Sequence, residues 1–430
     1  MTTRRRRVLR ALLLALLALL LIAFAAGWWL LSGSRAQLDG VRHIASLSAP
    51  VSISRDALGT VTIEGKNRTD ISYALGYVHA QERFFAMDLM RRMSAGELSA
   101  LVGPAALETD LNHRRHRLRA VAETAYAQLP TKQKHEFDRY RDGVNAGLAD
   151  LRIRPWEYLL LGVQPQPWRS EDSVLVIAAM YLDLNGDGRN ERELRFGQMR
   201  SVLPAPLVDF LLAPDPDWEA PLSGQLSRSP VIPTAAVFDL RHLASARLSA
   251  ALAAALAPAL DARRPGSSNF AVAGTLTGTG AAMLGNDMHL ALRVPNIWFR
   301  TRLRYPDPRA PDGRRDVNGV SLPGTPAVVV GSNGQIAWGF TNSYGDWQDW
   351  VRVLRDPTDT TRYKVLDGWA TIESHDEHIQ VKGRPDNILT VEDTRWGPIM
   401  GKDVDGTPLA LAWIGQQPRA YNVNLMQFEQ

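Results

Sequence analysis

A strand–turn–strand pattern in the middle of the chain constrains its fold and its chemistry more than any other feature. Residues 266–274 form a short apolar run that starts with glycine and serine, and a glycine-rich turn and a second apolar run follow. His289 comes 22 residues after Ser267. Two strands joined by a tight turn bring their far ends together. We therefore expect a β-hairpin that places Ser267 and His289 close to each other.

A serine that follows glycine acquires a particular chemistry if the bond between the two is cut. Cleavage of the Gly266–Ser267 bond would leave Ser267 with a hydroxyl and a free α-amine, which are a nucleophile and a base in one residue. A free α-amine has a pKa of about 7.7–8.0, so a useful fraction is neutral near physiological pH. The alternative is an ordinary hairpin with a surface serine, and this segment alone leaves both open.

Motifs along most of the chain resemble those of the penicillin acylase family of N-terminal-nucleophile amidohydrolases. In that family the catalytic chain starts with a Gly-Ser-Asn-x-Trp-type segment, and an Asn-Asp-Pro-His-Leu-type segment follows. The corresponding segments here are residues 266–270 and 286–290, with departures at Ser268, Phe270 and Met288 that remove no reactive group. Further similar segments occur in the family's order at residues 55–59, 76–92, 96–98, 140–146, 167–172, 295–298, 322–326 and 331–339.

The resemblance implies an α+β fold, the four-layer αββα sandwich, and attack on an amide carbonyl to give an acyl-enzyme ester. It implies Ser267 as the nucleophile, His289 as its hydrogen-bond partner, and the backbone N–H of Ile336 as an oxyanion donor, with Ala337 as the near alternative. Leu290 is implied as a residue of the acyl pocket. Family substrates include penicillins, cephalosporin side chains and N-acyl homoserine lactones, and no organic cofactor is implied.

A calcium site is also implied by the resemblance. Residues 183–188 imitate the start of an EF-hand loop, but the twelfth position is Leu194 instead of the bidentate glutamate, so an EF-hand is excluded. Members of the resembled family hold a calcium ion between a glutamate in this region and an Asp-x-Val-Asp-like segment further along. The alternative is a set of solvated surface acids. The corresponding residues here are Glu193, Asp346, Gln348 through its backbone carbonyl, and Asp349.

The motifs divide the chain into four segments. Residues 1–34 are an N-terminal anchor or signal, 35–227 an α-chain-like region, 228–266 a spacer, and 267–430 the first part of a β-chain-like catalytic region. The spacer contains an Ala/Leu-rich run at 244–260 that is equally typical of an amphipathic helix. By resemblance, the two cleaved chains associate as a heterodimer. The family's second oxyanion donor, an asparagine, would lie beyond residue 430, so we expect the later part of the fold to be missing and amide hydrolysis by this form to be slow or absent, even if the chain cleaves itself.

The N-terminus predicts a location outside the cytoplasm. Arginines at positions 4–7 and 10 precede an unbroken apolar run of 21 residues, 11–31. A run of that length spans a hydrocarbon core of roughly 30 Å as a helix, and its basic side stays cytoplasmic. We expect an uncleaved inner-membrane anchor with the rest of the chain in the periplasm. A cleavable signal peptide is the alternative, because residues 23–25 resemble a small-x-small cleavage site.

Composition excludes several function classes. The five N-terminal arginines account for the net charge of +4, since the rest of the chain has 44 basic against 45 acidic residues. No nucleic-acid partner is therefore expected. The absence of cysteine excludes disulfides and thiolate catalysis. The rival function is a catalytically inactive, truncated envelope protein that keeps the fold as a binding module. Four histidines without a third metal ligand are predicted to lie on the surface: His113, His116, His375 and His378.

Overall fold

The computed structural model describes residues 3–185, 190–213, 230–239, 266–343 and 345–430. Most of the predicted spacer, including its Ala/Leu-rich run, lies outside the described residues. The described helices are α1 (Thr3–Gly33), α2 (Arg68–Ala95), α3 (Ser99–Val102), α4 (Leu107–Arg114), α5 (Leu118–Gln128), α6 (Thr131–Ala149), α7 (Trp156–Leu161), α8 (Asp172–Asn185), α9 (Glu191–Val202) and α10 (Ala205–Leu212).

The described strands, apart from two short ones near the start, follow residue 266. They are β1 (Ser52–Arg55), β2 (Val61–Glu64), β3 (Ser267–Val272), β4 (Met283–Met288), β5 (Phe299–Pro306), β6 (Arg314–Ser321), β7 (Val328–Ser332), β8 (Ala337–Trp338), β9 (Gln348–Arg352), β10 (Arg362–Val365), β11 (Gly368–Thr371), β12 (Glu373–Ile379), β13 (Asn387–Thr394), β14 (Gly397–Lys402) and β15 (Pro408–Trp413). Helices before the serine and sheets after it confirm the predicted α+β class.

The largest sheet joins the two halves of the chain. Its order is β1-β2-β5-β6-β7-β8, and β2 pairs in parallel with β5, while the other neighbours are antiparallel. Strand β5 alternates buried and exposed side chains along its whole length, as expected for a strand with one face on a core. Two residues buried on that face are Leu303 and Val317, and both are inaccessible to solvent.

Helices α2 and α6 cover this sheet and cross each other unusually closely. Glycines lie at the crossing, and a Cβ on Gly76 would lie 2.2 Å from the carbonyl oxygen of Tyr140. On Gly143 it would lie 1.9 Å from the carbonyl oxygen of Tyr73, and on Gly147 it would meet the next turn of α2 at 2.3 Å. The absence of side chains at these positions is what lets the two backbones touch.

A second sheet and its core complete the described fold. The order β12-β13-β14-β15-β9 is antiparallel throughout, and the hairpin β10–β11 lies beside it. Leu411 and Trp413 of β15 pack against α5 and α8 in a second apolar cluster, which also contains Leu118 and Leu175. This cluster fixes the second sheet to the helices that precede the serine.

Two histidines predicted to lie on the surface are buried, so that prediction was wrong. His113 is 7% and His116 2% exposed. The Nδ1 atom of His113 is 2.6 Å from the carbonyl oxygen of Met93, so the side chain joins the end of α4 to α2. His116 packs edge-on against Trp413 with ring centroids 5.1 Å apart. An aromatic partner 297 residues away in sequence gives no local signal from which this burial could be predicted.

The predicted N-terminal helix forms as α1. Its segment Arg10–Gly33 is long and apolar enough to cross a membrane, with a mean hydropathy of 2.6, and its apolar stretch is not buried against the rest of the fold. The same length and composition occur in signal sequences. The end of α1 is attached to the rest of the fold, because Ser34 donates to the carbonyl oxygen of Arg154 and the Ile153 N–H donates to that of Gly33.

Candidate active site

Ser267 and His289 meet at the open end of a β-hairpin, as the sequence predicts. In the antiparallel pairing of β3 with β4, Ser267 lies opposite Met288, so the next residue, His289, lies beside Gly266. A Cβ on Gly266 would be 3.5 Å from the Nδ1 atom of His289. The imidazole therefore lies beside Gly266, one residue before Ser267, where it could take up or deliver a proton.

The other imidazole nitrogen has a carboxylate partner. The Nε2 atom of His289 lies 3.0 Å from Oδ2 of Asp287. Residues two apart in extended chain point to the same face, which brings these two side chains together at the end of β4, which His289 directly follows. The Asp287 side chain is 76% exposed, so this pair orients the ring more than it stabilises the fold. Sequence analysis missed Asp287, although the i, i+2 spacing to His289 is a signal that could have found it.

An apolar cavity of about 320 Å³ opens beside the half-buried Ser267. Helix α8 contributes aliphatic side chains to it, β7 contributes valines, and Leu290 lines it as the resemblance implies. A cavity of this composition suits an alkyl or aryl group, with the hydroxyl of Ser267, the predicted nucleophile, at its boundary. Its apolar lining residues are Ile177, Met180, Leu184, Leu290, Trp298, Leu322, Val329, Val330 and Phe340, among others.

Ile336 belongs to the turn between β7 and β8. Its backbone N–H donates to Oδ1 of Asn333 at 2.9 Å, and its carbonyl oxygen accepts from the N–H of Asn333 at 3.2 Å. The Asn333 side chain also accepts from the N–H of Gln335. Phe340, four residues after Ile336, lines the cavity, so this segment runs from the turn to the apolar pocket. The predicted oxyanion donor thus bonds within its own turn in this structure.

The four predicted metal ligands come from two segments that are adjacent in space. The side-chain nitrogen of Asn190 donates to Oε2 of Glu193 at 2.5 Å and to the carbonyl oxygen of Gln348 at 2.9 Å. Burial raises the pKa of Glu193, and the negative charges of Asp349 and Asp346 raise it further. Across the described part of the chain, no cluster of three or more His, Asp or Glu side chains is arranged to hold a metal ion.

Comparison with known proteins identifies the family. The family model described as penicillin amidase matches residues 50–428. The chain belongs to the penicillin amidase family. This confirms the resemblance, and with it the N-terminal-nucleophile hydrolase class of the fold.

Relatives within the penicillin amidase family carry acylase names. The chain is 31% identical over 363 residues to the acyl-homoserine lactone acylase QuiP of Pseudomonas aeruginosa, which is 84% of this chain and 41% of that protein. It is 30% identical over 385 residues to the penicillin acylase 2 proenzyme of Pseudomonas sp. SE83, which is 89% of this chain and 47% of that protein. The chain thus spans somewhat less than half the length of these relatives.

Part of the chain is also similar to a solved penicillin acylase structure. The tetragonal form of the thermostable penicillin G acylase from Alcaligenes faecalis is 26% identical and covers 42% of this chain, with a TM-score of 0.36. That TM-score is too low to establish a common fold by itself. The family assignment therefore depends on the sequence match.

A buried polar chain supports one wall of the cavity, and sequence analysis missed it. The Ser321 hydroxyl donates to the carbonyl oxygen of Phe299, so it must accept from Nε2–H of His79 at 2.9 Å. Nδ1 of His79 then accepts from the Tyr140 hydroxyl at 2.7 Å, and that hydroxyl accepts from the N–H of Gly324 at 2.8 Å. Burial lowers the pKa of His79 to about 3, which keeps the ring neutral in this role.

This hydrogen-bond chain fixes a turn that faces the apolar cavity. Leu322 and Thr325 flank Gly324 in this turn, and both line the cavity. The penicillin amidase motifs at residues 76–92 and 140–146 therefore act on the site through packing, because they carry His79 and Tyr140. His79 follows Leu75 by four residues and lies on the same buried face of α2. This spacing is the sequence signal from which its burial could have been predicted.

Proposed function

We propose that this protein hydrolyses N-acyl amides with Ser267 as an N-terminal nucleophile, after cleaving itself between Gly266 and Ser267. The observation that carries the proposal is the position of Ser267. It lies at the boundary of an apolar cavity of about 320 Å³, with the His289 ring beside Gly266, the residue before the bond that must break. Membership of a family whose members are named acylases and proenzymes supports the same reaction class.

Self-cleavage would free the α-amine that hydrolysis needs. The Oγ atom of Ser267 attacks the carbonyl carbon of Gly266, and its proton passes to a nearby base, for which His289 is available. The C–N bond then breaks, the nitrogen takes a proton to become the free amine, and the upstream chain is left as an ester on Oγ. Water hydrolyses that ester, which releases the Gly266 carboxylate and restores the Ser267 hydroxyl.

Hydrolysis of a substrate repeats this chemistry on an external amide. The α-amine of Ser267 takes the hydroxyl proton, Oγ attacks the acyl carbon, and the proton goes to the leaving amine. Water then releases the acid from the ester. An oxyanion donor contributes about 2.7–4 kcal/mol to such a step. The Ile336 N–H can serve as this donor once it leaves Oδ1 of Asn333, to which it now donates.

The lining of the cavity favours an aliphatic acyl group. Isoleucine, methionine and leucine from α8 and valines from β7 line it. The relatives are named for acyl-homoserine lactones and for penicillins, which differ in the acyl group as well as in the amine. We propose N-acyl amides with alkyl chains, such as N-acyl homoserine lactones, ahead of arylacetyl penicillins. The binding-module alternative predicts that the same ligands bind without turnover.

The first prediction concerns this preference. Purified wild-type protein, in detergent to keep α1 soluble, is given decanoyl and phenylacetyl amides of one fluorogenic amine. We expect kcat/KM for decanoyl to be about tenfold higher or more, since several extra buried methylenes contribute roughly 0.8 kcal/mol each. Binding of either ligand with neither fluorophore release nor self-cleavage would contradict an enzyme and support the binding module. A phenylacetyl preference would contradict only the substrate class.

We further propose that the cleaved chains stay together as a heterodimer. Strand β2, upstream of the cleavage point, pairs with β5 downstream of it over four residues, Val61↔Thr301 to Glu64↔Arg304. Arg68 also forms a buried ion pair with Glu429 at 2.6 Å. Separation would expose both the core of the large sheet and this ion pair. Co-elution of the two fragments in size-exclusion chromatography tests the proposal, and separate elution in native buffer would contradict it.

A structural calcium ion is proposed between the two chains. Glu193, from one side of the cleavage point, and the Gln348 carbonyl, from the other, converge on a single nitrogen of Asn190, so they can also converge on a cation. Carboxylate and carbonyl oxygens are the ligands that calcium prefers. Asp346 and Asp349 carry two further carboxylates on the same segment. The bound ion would supply a positive charge to offset these carboxylates.

The second prediction tests the calcium proposal. Addition of 1 mM calcium, about 100 times an assumed Kd, should stabilise the wild-type protein by about 2.7 kcal/mol. The increase in the thermal midpoint should disappear in Glu193→Gln, which removes a charge but keeps the size. Glu191→Gln, on the first turn of the same helix, is the matched control and should respond like wild type. Equal responses of all three proteins would contradict the site.

The N-terminal helix is proposed to be an uncleaved inner-membrane anchor with the rest of the chain in the periplasm. The arginines before the apolar run favour this orientation. The attachment of residues 33 and 34 to Ile153 and Arg154 ties the helix to the folded part. Membrane fractionation followed by N-terminal sequencing tests it. Recovery of a protein that lacks residues 1–25 in the soluble periplasmic fraction would identify a signal peptide instead.

A further inference from the structure

The proposed nucleophile begins a strand of one sheet, and the proposed oxyanion donor directly precedes a strand of another. Ser267 begins β3 of the two-stranded hairpin, whereas Ile336 directly precedes β8, the edge strand of the six-stranded sheet. Among the described residues, no backbone-to-backbone hydrogen bond connects the hairpin with residues 336–343. The acyl cavity is lined from both sides of this gap, by Ser267 and Met288 on one side and by Phe340 on the other. Contacts other than backbone hydrogen bonds must therefore hold the two sheets in their relative position.

Two asparagine side chains bridge the gap. Asn269 and Asn286 face each other across the hairpin. The Asn269 side-chain nitrogen donates to the carbonyl oxygen of Gly339 at 2.7 Å. The Asn286 side-chain nitrogen donates to the carbonyl oxygen of Phe340 at 3.1 Å, and Oδ1 of Asn286 accepts from the Phe340 N–H at 3.3 Å. The amide of Asn286 thus pairs with the Phe340 peptide in both directions, as the backbone of a neighbouring strand would.

The same amide also holds the backbone next to the nucleophile. Nδ2 of Asn286 lies 3.0 Å from the carbonyl oxygen of Ser268, which directly follows Ser267. One side chain therefore contacts both the nucleophile strand and the segment that contains the oxyanion donor. The contact also depends on Gly339, because a Cβ at that position would lie 2.8 Å from Oδ1 of Asn286. Any side chain there would push the two sheets apart.

We propose that Asn286 is a positioning residue that sets the distance between Ser267 and the oxyanion-donor segment. The proposal rests on the proposed function for its effect on rate. An asparagine suits the task because its amide both donates and accepts at short reach. Aspartate would keep the acceptor for the Phe340 N–H but would place a carboxylate oxygen against the carbonyl oxygens of Ser268 and Phe340. Alanine would remove all three contacts.

The third prediction measures reaction rates in full-length protein. Asn286→Ala and Asn286→Asp should both slow the appearance of the Ser267 N-terminus by about 100-fold, since a displacement of about 1 Å can cost that much. Where the decanoyl amide is turned over, its kcat should fall similarly, and its KM should stay within about threefold because the apolar lining is unchanged. Asn318→Ala, an exposed asparagine of β6 bonded to Asp316, is the matched control and should behave as wild type.

A loss of rate through general unfolding has a different signature. Gly339→Ala leaves Asn286 intact and should lower the rates in the same way, with thermal midpoints of all variants near that of wild type. Wild-type rates in Asn286→Asp or in Gly339→Ala would overturn the positioning role. So would a loss of rate that returns in full when the variants are assayed at a temperature where they are folded.

Amide exchange separates this proposal from the proposed function. In wild type the Phe340 N–H is bonded to Asn286, so its hydrogen exchange should be at least about tenfold slower than in Asn286→Ala. This comparison needs no catalysis. If wild type neither cleaves itself nor hydrolyses an amide, the proposed function fails while slow Phe340 exchange still supports the contact. Equal exchange of Phe340 in wild type and Asn286→Ala overturns it.

Discussion

Alanine at position 267 is expected to abolish both self-cleavage and amide hydrolysis. The Oγ atom of Ser267 is the group that forms the bond in both reactions, and no neighbouring side chain can replace it within the same geometry. Removal of a nucleophile of this kind costs about 10⁶ in rate in a well-studied serine protease. Intact-mass measurement should show an uncut chain for Ser267→Ala, whereas the downstream fragment of wild type should begin with Ser-Ser-Asn-Phe.

Ser268→Ala is the matched control for this prediction. Ser268 is also a serine on β3, but it lies opposite Asp287 and would not carry the new α-amine. Its contact with Asn286 uses the backbone carbonyl, which alanine keeps. We expect processing within about threefold of wild type. An inactive Ser268→Ala with an active Ser267→Ala would place the nucleophile one residue later than proposed.

The hairpin could be predicted from the sequence because its signals are local. Alternating apolar runs, the glycine-rich turn and the Gly-Ser step all lie within residues 266–289, and the strands form at Ser267–Val272 and Met283–Met288. Features that depend on residues close in sequence need no knowledge of the tertiary structure.

Contacts between distant segments could not be predicted from the sequence in this way. The hydrogen-bond chain from Phe299 through His79 to Gly324 includes links between residues 184 and 242 positions apart, and each of these residues alone is typical of an ordinary core. The pairing of Asn286 with Phe340 depends on how two separate sheets approach each other. The family resemblance pointed to the segments that contain these residues. Which residues contact each other follows only from the interatomic distances in the folded chain.

The glycine at the crossing of α2 and α6 gives the largest expected effect on stability. Gly143→Ala would place a Cβ 1.9 Å from the carbonyl oxygen of Tyr73, a backbone atom that cannot move without its helix. Overpacking of this kind costs up to about 3 kcal/mol, which exceeds the gain of about 1 kcal/mol in helix propensity. We expect a net loss of about 2 kcal/mol, measured as a lower thermal midpoint.

Gly197→Ala makes the same change in helix α9, where no atom of the described residues lies within 4 Å of the added Cβ. Only the higher helix propensity of alanine then affects the stability, so the thermal midpoint of unfolding should rise or stay unchanged. The Gly143 variant should also affect the site, because Tyr140 lies one turn earlier on α6 and its hydroxyl holds the N–H of Gly324. A shift of α6 would move the turn that lines the acyl cavity, so KM for the decanoyl amide should rise as well. If Gly143→Ala were as stable as the Gly197→Ala control, α2 and α6 could move apart without cost. The close contact of these helices would then not be what holds the cavity wall in place.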